Sequence, residues 1–600
     1  MSFAIRLLGK PRIERDGEAT SPPRGRKTWA LLAYLLLSER PPPRSRVASL
    51  LFSEADDPLG ALRWSLADLR RALGAPDAAA GDPLELRLPA DAQVDVLALT
   101  DPADGVAFTP SEGELLEGMI FPSSPVFESW LGVMRSHLEG AGRAMAHDEA
   151  LACLAAGDVE RATELAAQLV SQNPLDQAGQ ELLIRCLARA GRRQAAERQL
   201  AECEALFLRE LGVAPGPELR SAAGETDRHP AEAVGDSDIA LGQLEAGQAA
   251  LDAGTVEPGV QILRQACAEA AAAGDAAVEA RALAALGSAL VHAVRGRDEE
   301  GALRLHEALR LAEGCGDRAT AAAACRELGY IDVQAGRGPP AGRWLMRATE
   351  LAEGNEELCA VLGVRGMALS DRAHYAAALD LLNRSVARAE RAGRRRQAAW
   401  SLSLIGRAHL LRADLALAVP VLEEALTLVA AERWTAFQPF PAALRAEASL
   451  LMGRADQAAE RLDHAFRLAC QLGDPCWEAL GARLMGVLAA RAGDDAKARA
   501  HLADALARAT RVSDGYEWVH AHVLDSSAAL AVDSGADDAV QIVDALADLA
   551  ERCGLRELVV RAQVHRSRLG VPGSLESARL LTAEIDNPAL EELVRPAVPA

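Results

Sequence analysis

The chain has 600 residues, more than one hydrophobic core usually supports, so several domains or one long repeat array are expected. Hydrophobic residues make up 50% and charged residues 25%, which is typical of a soluble protein. Aromatic residues reach only 4%, a share that favours helical arrays over β-sandwiches and barrels. The net charge of −22 argues, over the whole chain, against a nucleic-acid partner.

The charge is unevenly distributed along the chain. Residues 1–75 contain 13 Lys and Arg against 8 Asp and Glu, a net charge of +5, which leaves −27 for the remainder. The sequence therefore predicts a basic N-terminal module joined to an acidic body.

The ten cysteines form no CxxC pair and no His/Cys cluster with zinc spacing, so reduced and buried thiols are expected. The N-terminal segment MSFAIRLLGKPRIERDG lacks the apolar core of a signal peptide, and no stretch approaches the roughly 18 uninterrupted apolar residues of a membrane span. We therefore expect a cytoplasmic protein with no membrane partner.

Short strands and helices alternate in the first hundred residues. Residues 3–8 and 12–15 are predicted strands, and Asp16-Gly17 is a hairpin-type turn leading to a third strand. An apolar helix follows at residues 27–37 and ends before the PPP run, after which Ser45 caps a short second helix.

The third helix lies in GALRWSLADLRRALG. Asp57 is its predicted N-cap, Pro58 occupies the first helical position and Gly74 closes it. At 100° per residue, four leucines share one narrow stripe that predicts the buried face: Leu62, Leu66, Leu69 and Leu73. Beyond the helix, residues 84–88 and 94–96 alternate apolar and polar side chains around a turn, which predicts a two-stranded wing.

The outer face of this third helix is cationic. It carries Arg63, Trp64, Ala67, Arg70 and Arg71. Arginine suits guanine because its fork donates two parallel hydrogen bonds to O6 and N7, and the small Ala67 would let the helix approach a base edge. Taken alone, however, the same pattern fits an ordinary solvated surface helix.

The order of the elements favours DNA binding. A short helix, a turn, a longer basic helix and a wing form a winged helix-turn-helix, whose second helix enters the major groove. Basic residues flank the unit, as phosphate contacts would. They are Arg24, Arg26, Lys27, Arg44, Arg46 and, on the predicted wing, Arg87.

From about residue 111 the pattern is almost entirely helical. Two segments align with Gly157 over Gly191, a period of 34 residues that is typical of tetratricopeptide repeats. After a polar linker at 221–238, a small residue recurs every 37 to 42 residues in the first helix of each unit. These positions are Gly247, Gly287, Gly329, Gly366, Gly406, Ala448, Gly486 and Ser526. Eight stacked helix pairs predict a right-handed α-solenoid, and four prolines after residue 570 predict a frayed tail.

Three stretches of the array are candidate ligand sites. WTAFQPF (434–440) and GYEWVHAH (515–522) concentrate aromatic residues, but loop and core packing is the favoured interpretation for both. The run Arg394, Arg395 and Arg396 fits a solvated turn better than an anion site. No HExxH, G-x-S-x-G or paired-carboxylate motif occurs, so no catalytic, metal or cofactor site and no enzyme activity are predicted.

The N-terminal part of the chain resembles a known family. The run from FAIRLLGKPRIERDG through KTWALLAYLLL, SRVASLLF and ALRWSLADLRRALG resembles the OmpR-type winged helix of the Streptomyces antibiotic regulatory protein (SARP) family. GELLEGM, ESWLGVMRSHLEGA, the two repeats of period 34 and FLRELGVAPGPELR resemble that family's bacterial transcriptional activator domain. The resemblance covers about the first 220 residues.

The resemblance implies a transcriptional activator that binds promoter direct repeats as a side-by-side dimer and recruits RNA polymerase. It assigns Arg63, Arg70 and Arg71 to the recognition helix and the turn after Leu88 to the wing. Larger family members carry an ATPase module, but no GxxxxGK[ST] occurs here, and the glycine-rich GRGPPAGRW fits an inter-helix turn. The repeat array should therefore follow the activator domain directly.

The predicted fold is mostly α, with a winged helix-turn-helix followed by an α-solenoid of tetratricopeptide-like helix pairs. The predicted boundaries are a winged helix at 1–100, an activator domain at 105–220, a linker at 221–238, an array at 239–570 and a tail at 571–600. The array is expected to bind a peptide, a protein or a small molecule. Two alternatives stay open: a protein-interaction scaffold that does not bind DNA specifically, and a receptor in which ligand on the array releases or occludes the DNA-binding unit.

Overall fold

The computed structural model describes residues 3–89, 92–100, 113–224, 235–512 and 514–595. The chain forms two compact units, one made of residues 1–142 and 527–600 and the other of residues 143–526. The first elements in chain order are β1 (Phe3–Arg6), β2 (Arg12–Arg15), β3 (Glu18–Ala19), α1 (Arg26–Leu37), α2 (Arg44–Phe52), α3 (Pro58–Leu73), β4 (Ala79–Ala80), β5 (Glu85–Leu86), β6 (Ala92–Val94), α4 (Asp95–Thr100) and α5 (Pro125–Ala156).

The remaining elements are helical in the described residues. They are α6 (Val159–Gln172), α7 (Gln177–Arg189), α8 (Arg193–Glu210), α9 (Glu218–Ala223), α10 (Ser237–Asp252), α11 (Val256–Ala273), α12 (Ala276–Ala293), α13 (Asp298–Cys315), α14 (Arg318–Gln334), α15 (Gly338–Leu351), α16 (Gly354–Asp371), α17 (Tyr375–Arg391), α18 (Arg395–Leu411), α19 (Leu415–Ala431), a 3-10 turn (Thr435–Phe437), α20 (Pro439–Leu451), α21 (Ala455–Leu472), α22 (Pro475–Arg491), α23 (Asp495–Ala509), α24 (Glu517–Ser534), α25 (Ala539–Cys553), α26 (Arg556–Arg568), α27 (Ser574–Thr582) and α28 (Pro588–Leu593). The mostly α fold with a small N-terminal sheet is the predicted one.

The N-terminal sheet corrects the predicted wing. Its order is β3-β2-β1-β6, with β6 parallel to β1, while β4 and β5 form a separate antiparallel pair. Residues 94–96 therefore do not pair with residues 84–88, and Val96 lies in α4. Asp95 explains the difference, because its buried carboxylate accepts the backbone N–H groups of Leu7 at 2.8 Å and Leu8 at 3.0 Å. An alternating pattern predicts that a segment forms a strand, but it does not determine which other strand that segment pairs with.

The GELLEGM segment is fastened to the end of β1. Leu115 pairs with Leu8 in an isolated bridge, and the backbone N–H of Leu116 donates to the carbonyl of Leu7 at 2.9 Å. A Cβ on Gly113 would lie 2.6 Å from Cα of Gly9, so the two backbones approach too closely for a side chain.

The start of α5 packs on the three-helix unit. The ring of Trp130 lies edge-on to that of Tyr34, with centroids 5.1 Å apart, and the hydroxyl of Ser124 donates to the carbonyl of Leu51 at 2.9 Å. An aromatic contact and a hydrogen bond therefore hold the first part of the predicted activator domain against α1 and α2.

The C-terminal residues fold instead of fraying. Among the residues described there, α27 and α28 are helices, and Ala578 and Leu590 are fully buried. Arg556 pairs with Glu39 at 2.8 Å, within the same unit. For the described residues up to 595, the frayed tail predicted after residue 570 is wrong, because Pro572 lies in a turn and Pro588 at the first position of α28, where a missing N–H costs little. The other two prolines, Pro596 and Pro599, lie outside the described residues.

The second unit repeats one helix-pair contact. Six of the eight small-residue positions are glycines on the first helix of a pair, and a Cβ added at any of them would come within 2.5 to 2.8 Å of a leucine on the second helix. The pairs are Gly247 with Leu263, Gly287 with Leu305, Gly329 with Leu345, Gly366 with Leu382, Gly406 with Leu422, and Gly486 with Leu502. The leucine thus packs directly against the backbone of the first helix, and the predicted solenoid of helix pairs is confirmed.

The activator segment and the array share one core in this unit. Leu154, Leu165 and Leu182 pack in the same apolar cluster as Leu305 and Leu328. The FLRELGVAPGPELR motif begins on α8, and a second cluster buries two of its large apolar side chains with those of α7. That cluster includes Ile184, Phe207 and Leu219. The motif's other large apolar residues, Leu208, Leu211 and Val213, are exposed.

A buried polar network crosses this shared core. Asp148 on α5 accepts hydrogen bonds from Arg343 at 2.8 Å and from the indole N–H of Trp344 at 2.9 Å, while His147 lies 3.0 Å from Glu299. Burial would raise the pKa of Asp148, but His306 and Arg343 lower it below its ordinary value. The charges are therefore paired inside the core, as burial requires.

In the part of the chain that the structure describes, one helix, α12, is long and apolar enough to cross a membrane by length and composition, with a mean hydropathy of 1.2 over residues 276–293. Half of it is buried, and it packs against α11 and α13. Core helices of soluble proteins meet the same criterion. The ten cysteines are all free, and Cys315 and Cys470 are exposed, which corrects the expectation that all would be buried.

We expect Gly366→Ala to lower the thermal midpoint of the full chain, because the new Cβ would lie 2.5 Å from Cγ of the fully buried Leu382. Overpacking of this kind costs about 1 to 3 kcal/mol. Gly342→Ala on α15 is the matched control, since nothing lies within 4 Å of its added Cβ. There the helix propensity of alanine should stabilise by up to about 1 kcal/mol. Equal shifts in differential scanning calorimetry would contradict the close-packing account.

Candidate DNA-binding surface and array cavity

The third helix is capped as its sequence predicts. The Asp57 carboxylate accepts the backbone N–H of Gly60 at 2.8 Å, Pro58 occupies the first position and Gly74 closes the helix with φ of 60°. The predicted buried face is confirmed, because none of the four leucines is more than 2% exposed. They are Leu62, Leu66, Leu69 and Leu73.

Three predicted contact residues point away from the core. The side chain of Arg63 is 66% exposed, Trp64 is 56% exposed and Ala67 is also exposed. Arg63 forms an ion pair with Asp57 at 3.2 Å, but both side chains are equally solvent-exposed, so this pair is weak. Leu59, 45% exposed one turn before Arg63, joins the same face and was missed because apolar residues are expected to be buried.

The other two arginines of α3 are engaged inside the unit. Arg70 donates from Nη2 to the carbonyl of Ala79 in β4, and Arg71 donates to Asp68 at 2.8 Å and to the carbonyl of Pro22 at 3.0 Å. Burial would raise the pKa of Asp68, but Arg71 and the backbone N–H of Arg24 lower it below its ordinary value. Arg70 and Arg71 therefore tie α3 to the wing and to the loop before α1.

The flanking basic residues also fall into two groups, those exposed to solvent and those that contact other parts of the unit. Arg24 and Arg26 are exposed, whereas Lys27 lies 5.3 Å above the ring of Phe52 and burial lowers its pKa. Arg44 and Arg87 both contact the hairpin that forms the wing. Arg44 Nε donates to the carbonyl of Gly81 at 2.8 Å, and Arg87 pairs with Glu85 at 2.8 Å.

Arg46 is committed to the C-terminal part of the same unit. Its Nη2 donates to the carbonyl of Leu580 in α27. Among the flanking residues, Arg24, Arg26 and Arg87 are thus the ones whose side chains the structure leaves exposed to solvent together with Arg63 on α3.

Arg71→Ala should accelerate amide hydrogen exchange across α3 about tenfold in the full chain, because it leaves the buried Asp68 carboxylate without its charged partner and with neutral donors such as the backbone N–H of Arg24, at a cost of about 1 to 3 kcal/mol. Arg63→Ala should change exchange less than about twofold, since the ion pair it removes is exposed. Equal protection in both variants would show that Arg71 has no positioning role.

A cavity of about 580 Å³ lies on the inner face of the array, within the second unit. Successive first helices of the pairs, α12, α14, α16, α18, α20 and α22, contribute to its walls. Its lining residues include His292, Arg295, Arg326, Glu327, Tyr330, Gln334, Val364, Met367, Arg396, Gln397, Trp400, Leu404, Arg407, Trp434, Phe437, Phe440, Asp474, Trp477 and Tyr516.

Aromatic side chains form much of the wall. Trp434 stacks on Phe437 with centroids 4.4 Å apart, and Phe440 lies 4.7 Å from Trp477. Both aromatic stretches marked in the sequence therefore reach the cavity, WTAFQPF through three rings and GYEWVHAH through Tyr516. The rings also pack against one another, as the sequence favours. Packing alone does not explain why both stretches reach the same cavity.

A buried ionic triad borders the cavity through two of its members, Arg407 and Tyr516. Arg407, which is fully buried, donates to the hydroxyl of Tyr516 at 2.7 Å and pairs with Asp371, and Tyr516 donates to Asp371 at 2.7 Å. The Arg407 guanidinium also lies 4.5 Å from the ring centre of Trp518. Burial raises the pKa of Asp371 even beside this arginine.

Two long-range contacts join distant repeats beside the cavity. Arg295, after α12, pairs with Asp474, before α22. The backbone N–H groups of Gly296 and Arg297 donate to Asp514 at 2.6 and 2.9 Å. Repeats that are about 180 to 220 residues apart in sequence therefore meet within the array.

The run of three arginines is not one site. Arg394 pairs with Glu356 at 2.6 Å and Arg395 with Glu432 at 2.8 Å, as solvated turn residues do. Arg396 alone lines the cavity, with its guanidinium 5.9 Å from the ring centre of Trp434. In the part of the chain that the structure describes, no group of three or more His, Cys, Asp or Glu side chains is placed to hold a metal ion.

Comparison with known families assigns the segment after the winged helix. Residues 112–225 match the family described as "Bacterial transcriptional activator domain". This confirms the domain predicted from GELLEGM and FLRELGVAPGPELR. The domain and the helical repeats that follow it fit a SARP-type regulator, so the predicted family resemblance is confirmed as well.

No curated protein sequence matches the chain. Among solved structures, a Rap protein complexed with competence and sporulation factor is 13% identical, with a TM-score of 0.41, over 60% of this chain and 89% of that one. NprR with its cognate peptide NprX is 14% identical, with a TM-score of 0.38, over 48% and 86%. Mycobacterium tuberculosis EmbR in complex with a low affinity phosphopeptide is 20% identical, with a TM-score of 0.29, over 37% and 64%. These similarities are low. What the three proteins bind is therefore not carried over to this chain.

Proposed function

We propose that this chain, which carries a bacterial transcriptional activator domain at residues 112–225, is a cytoplasmic transcription activator that binds promoter DNA through its winged helix. As the family resemblance implies, it would bind direct repeats as a side-by-side dimer and recruit RNA polymerase. The observation that carries the proposal is the order of the modules, with a winged helix immediately before the activator domain.

The exposed face of α3 supports the DNA-binding part. Leu59, Arg63 and Ala67 lie four residues apart on that face, and Trp64 lies beside them. A helix with one arginine, one small residue and apolar neighbours can place a guanidinium against guanine while the others contact thymine methyl groups. Arg70 and Arg71 contribute by holding this helix in place.

Exposed arginines before α1 support a phosphate contact. Arg24 and Arg26 are exposed, and Arg24 donates its backbone N–H to Asp68 on α3 at 2.8 Å. This loop is therefore joined to the recognition helix, so its side chains can set the register on the DNA backbone. We assign base recognition to Arg63 and backbone contacts to Arg24 and Arg26.

The array supports a role in sensing. Its cavity lies in the unit that also contains most of the activator domain, and both share one apolar core. A ligand held there would contact helices continuous with that core. The proposal therefore includes the alternative in which the chain is a receptor whose array binds a ligand. The other alternative, a scaffold that does not bind DNA specifically, is tested by the DNA-binding experiments below.

A gel-shift assay on duplexes selected from a random library by the full chain tests DNA recognition. Arg63→Ala should weaken specific binding about 10- to 100-fold, because one bidentate base contact contributes about 1 to 3 kcal/mol of discrimination. Arg193→Ala, in which an arginine 77% exposed on α8 is removed, is the matched control and should bind like the original chain.

Salt dependence separates the two roles. Arg24→Ala with Arg26→Ala should weaken all duplexes alike and reduce the slope of log K against log salt by about 0.9 for each phosphate that is no longer neutralised. If the full chain retains no duplex at low salt, the scaffold alternative replaces the proposed function. If Arg63→Ala leaves specific binding unchanged, the recognition-helix assignment is wrong.

A further inference from the structure

We infer that the cavity on the inner face of the array binds a small organic anion that carries a flat aromatic or conjugated ring system. The inference deepens the sensing part of the proposed function, on which it rests. It is tested by ligand binding alone, so its failure and a failure of DNA recognition are distinguishable.

The size of the cavity fits a small molecule. Ligand pockets of proteins usually enclose about 300 to 1,000 Å³, and this one encloses about 580 Å³. Two contacts between distant repeats, Arg295 with Asp474 and Gly296 with Asp514, hold together the segments that surround it. The space is therefore built by the tertiary structure of the array and does not belong to one repeat.

The wall is enriched in rings. The whole chain has 8 Trp, 4 Tyr and 9 Phe, and 3, 2 and 2 of these line the cavity. Trp400, Trp434 and Trp477 are only partly buried, although large aromatic side chains usually gain most by full burial. Incompletely covered indoles around a concave space offer stacking surfaces to a flat ring.

One cation in the lining lacks a carboxylate partner among the described residues. Arg407 pairs with Asp371, Arg326 pairs with Glu327 and Glu357, and Arg295 pairs with Asp474. Arg396 has instead a 3.5 Å hydrogen bond to the carbonyl of Glu432 and a contact with the Trp434 ring.

An anion fits this arrangement by charge. A guanidinium with free donors beside an aromatic face binds a carboxylate or sulfonate through charge-assisted hydrogen bonds, while the adjacent indole stacks on the ring of the ligand. Arg396 and Trp434 would thus recognise the two halves of one molecule.

The lining favours a small molecule over an extended peptide. A peptide backbone needs alternating donors and acceptors along its length. The side-chain amides, which supply both, number two in this cavity, Gln334 and Gln397. Rings and arginines make up most of the remaining large side chains, and they recognise flat and anionic groups better than peptide backbone.

The test uses 8-anilinonaphthalene-1-sulfonate, a flat aromatic anion, and N-phenyl-1-naphthylamine, which has the same rings without the sulfonate. The full chain should bind the anion saturably at one site, with energy transfer from tryptophan, and bind the neutral analogue at least about tenfold more weakly. Arg396→Gln should weaken binding of the anion about tenfold, which corresponds to about 1.4 kcal/mol, and leave the neutral analogue unchanged. Trp434→Leu should weaken both.

Arg394→Gln is the matched control, because it removes an arginine of the same run that does not line the cavity. It should bind both probes like the original chain. Absence of saturable binding, equal affinity for the two probes, or equal effects of Arg394→Gln and Arg396→Gln would overturn the inference. Displacement of the anion by a peptide pool but not by 2-naphthoate would overturn it in favour of a peptide site.

Discussion

The array depends on one recurring contact, in which a leucine of the second helix packs against the backbone of the first at a position without a side chain. Gly287 with Leu305 and Gly366 with Leu382 are two examples. Because a Cβ at these glycines would lie within 3 Å of the leucine, the glycine sets the interhelical distance in the six pairs that contain it. The walls of the cavity come largely from the first helices of these pairs, so their spacing depends on the repetition of this distance.

In three units, the residue after the small position faces the cavity. Tyr330, Met367 and Arg407 each directly follow the small residue of their helix, and all three line the cavity. A glycine turned toward the second helix leaves its successor about 100° away, on the side facing neighbouring repeats. Aligning the units on their small residues could have indicated these three positions from sequence, although Ser288 and Val487, at the same position in other units, do not line the cavity. The aromatic stretches indicated Trp434 with its neighbours and Tyr516.

The winged helix shows where a pattern of charges stops being informative. Helical periodicity places Arg63, Arg70 and Arg71 on one outer arc, and it correctly predicts the cap and the leucine stripe. Arg70 and Arg71 nevertheless bond to Ala79 and Asp68. Periodicity reports the direction in which a side chain leaves its helix, but long arginine side chains reach back to partners on other elements.

The sequence by itself determined the class and order of the elements, a basic winged helix followed by a helical repeat array, because periodicity, caps and recurring small residues are local signals. The bacterial transcriptional activator domain between them came from resemblance to a known family, which the match over residues 112–225 confirms. Only the tertiary structure decided the partner of β6, the folded state of α27 and α28, and the position of Arg396 beside Trp434 at the cavity. These depend on contacts between residues far apart in the chain, whose pairing no local pattern specifies.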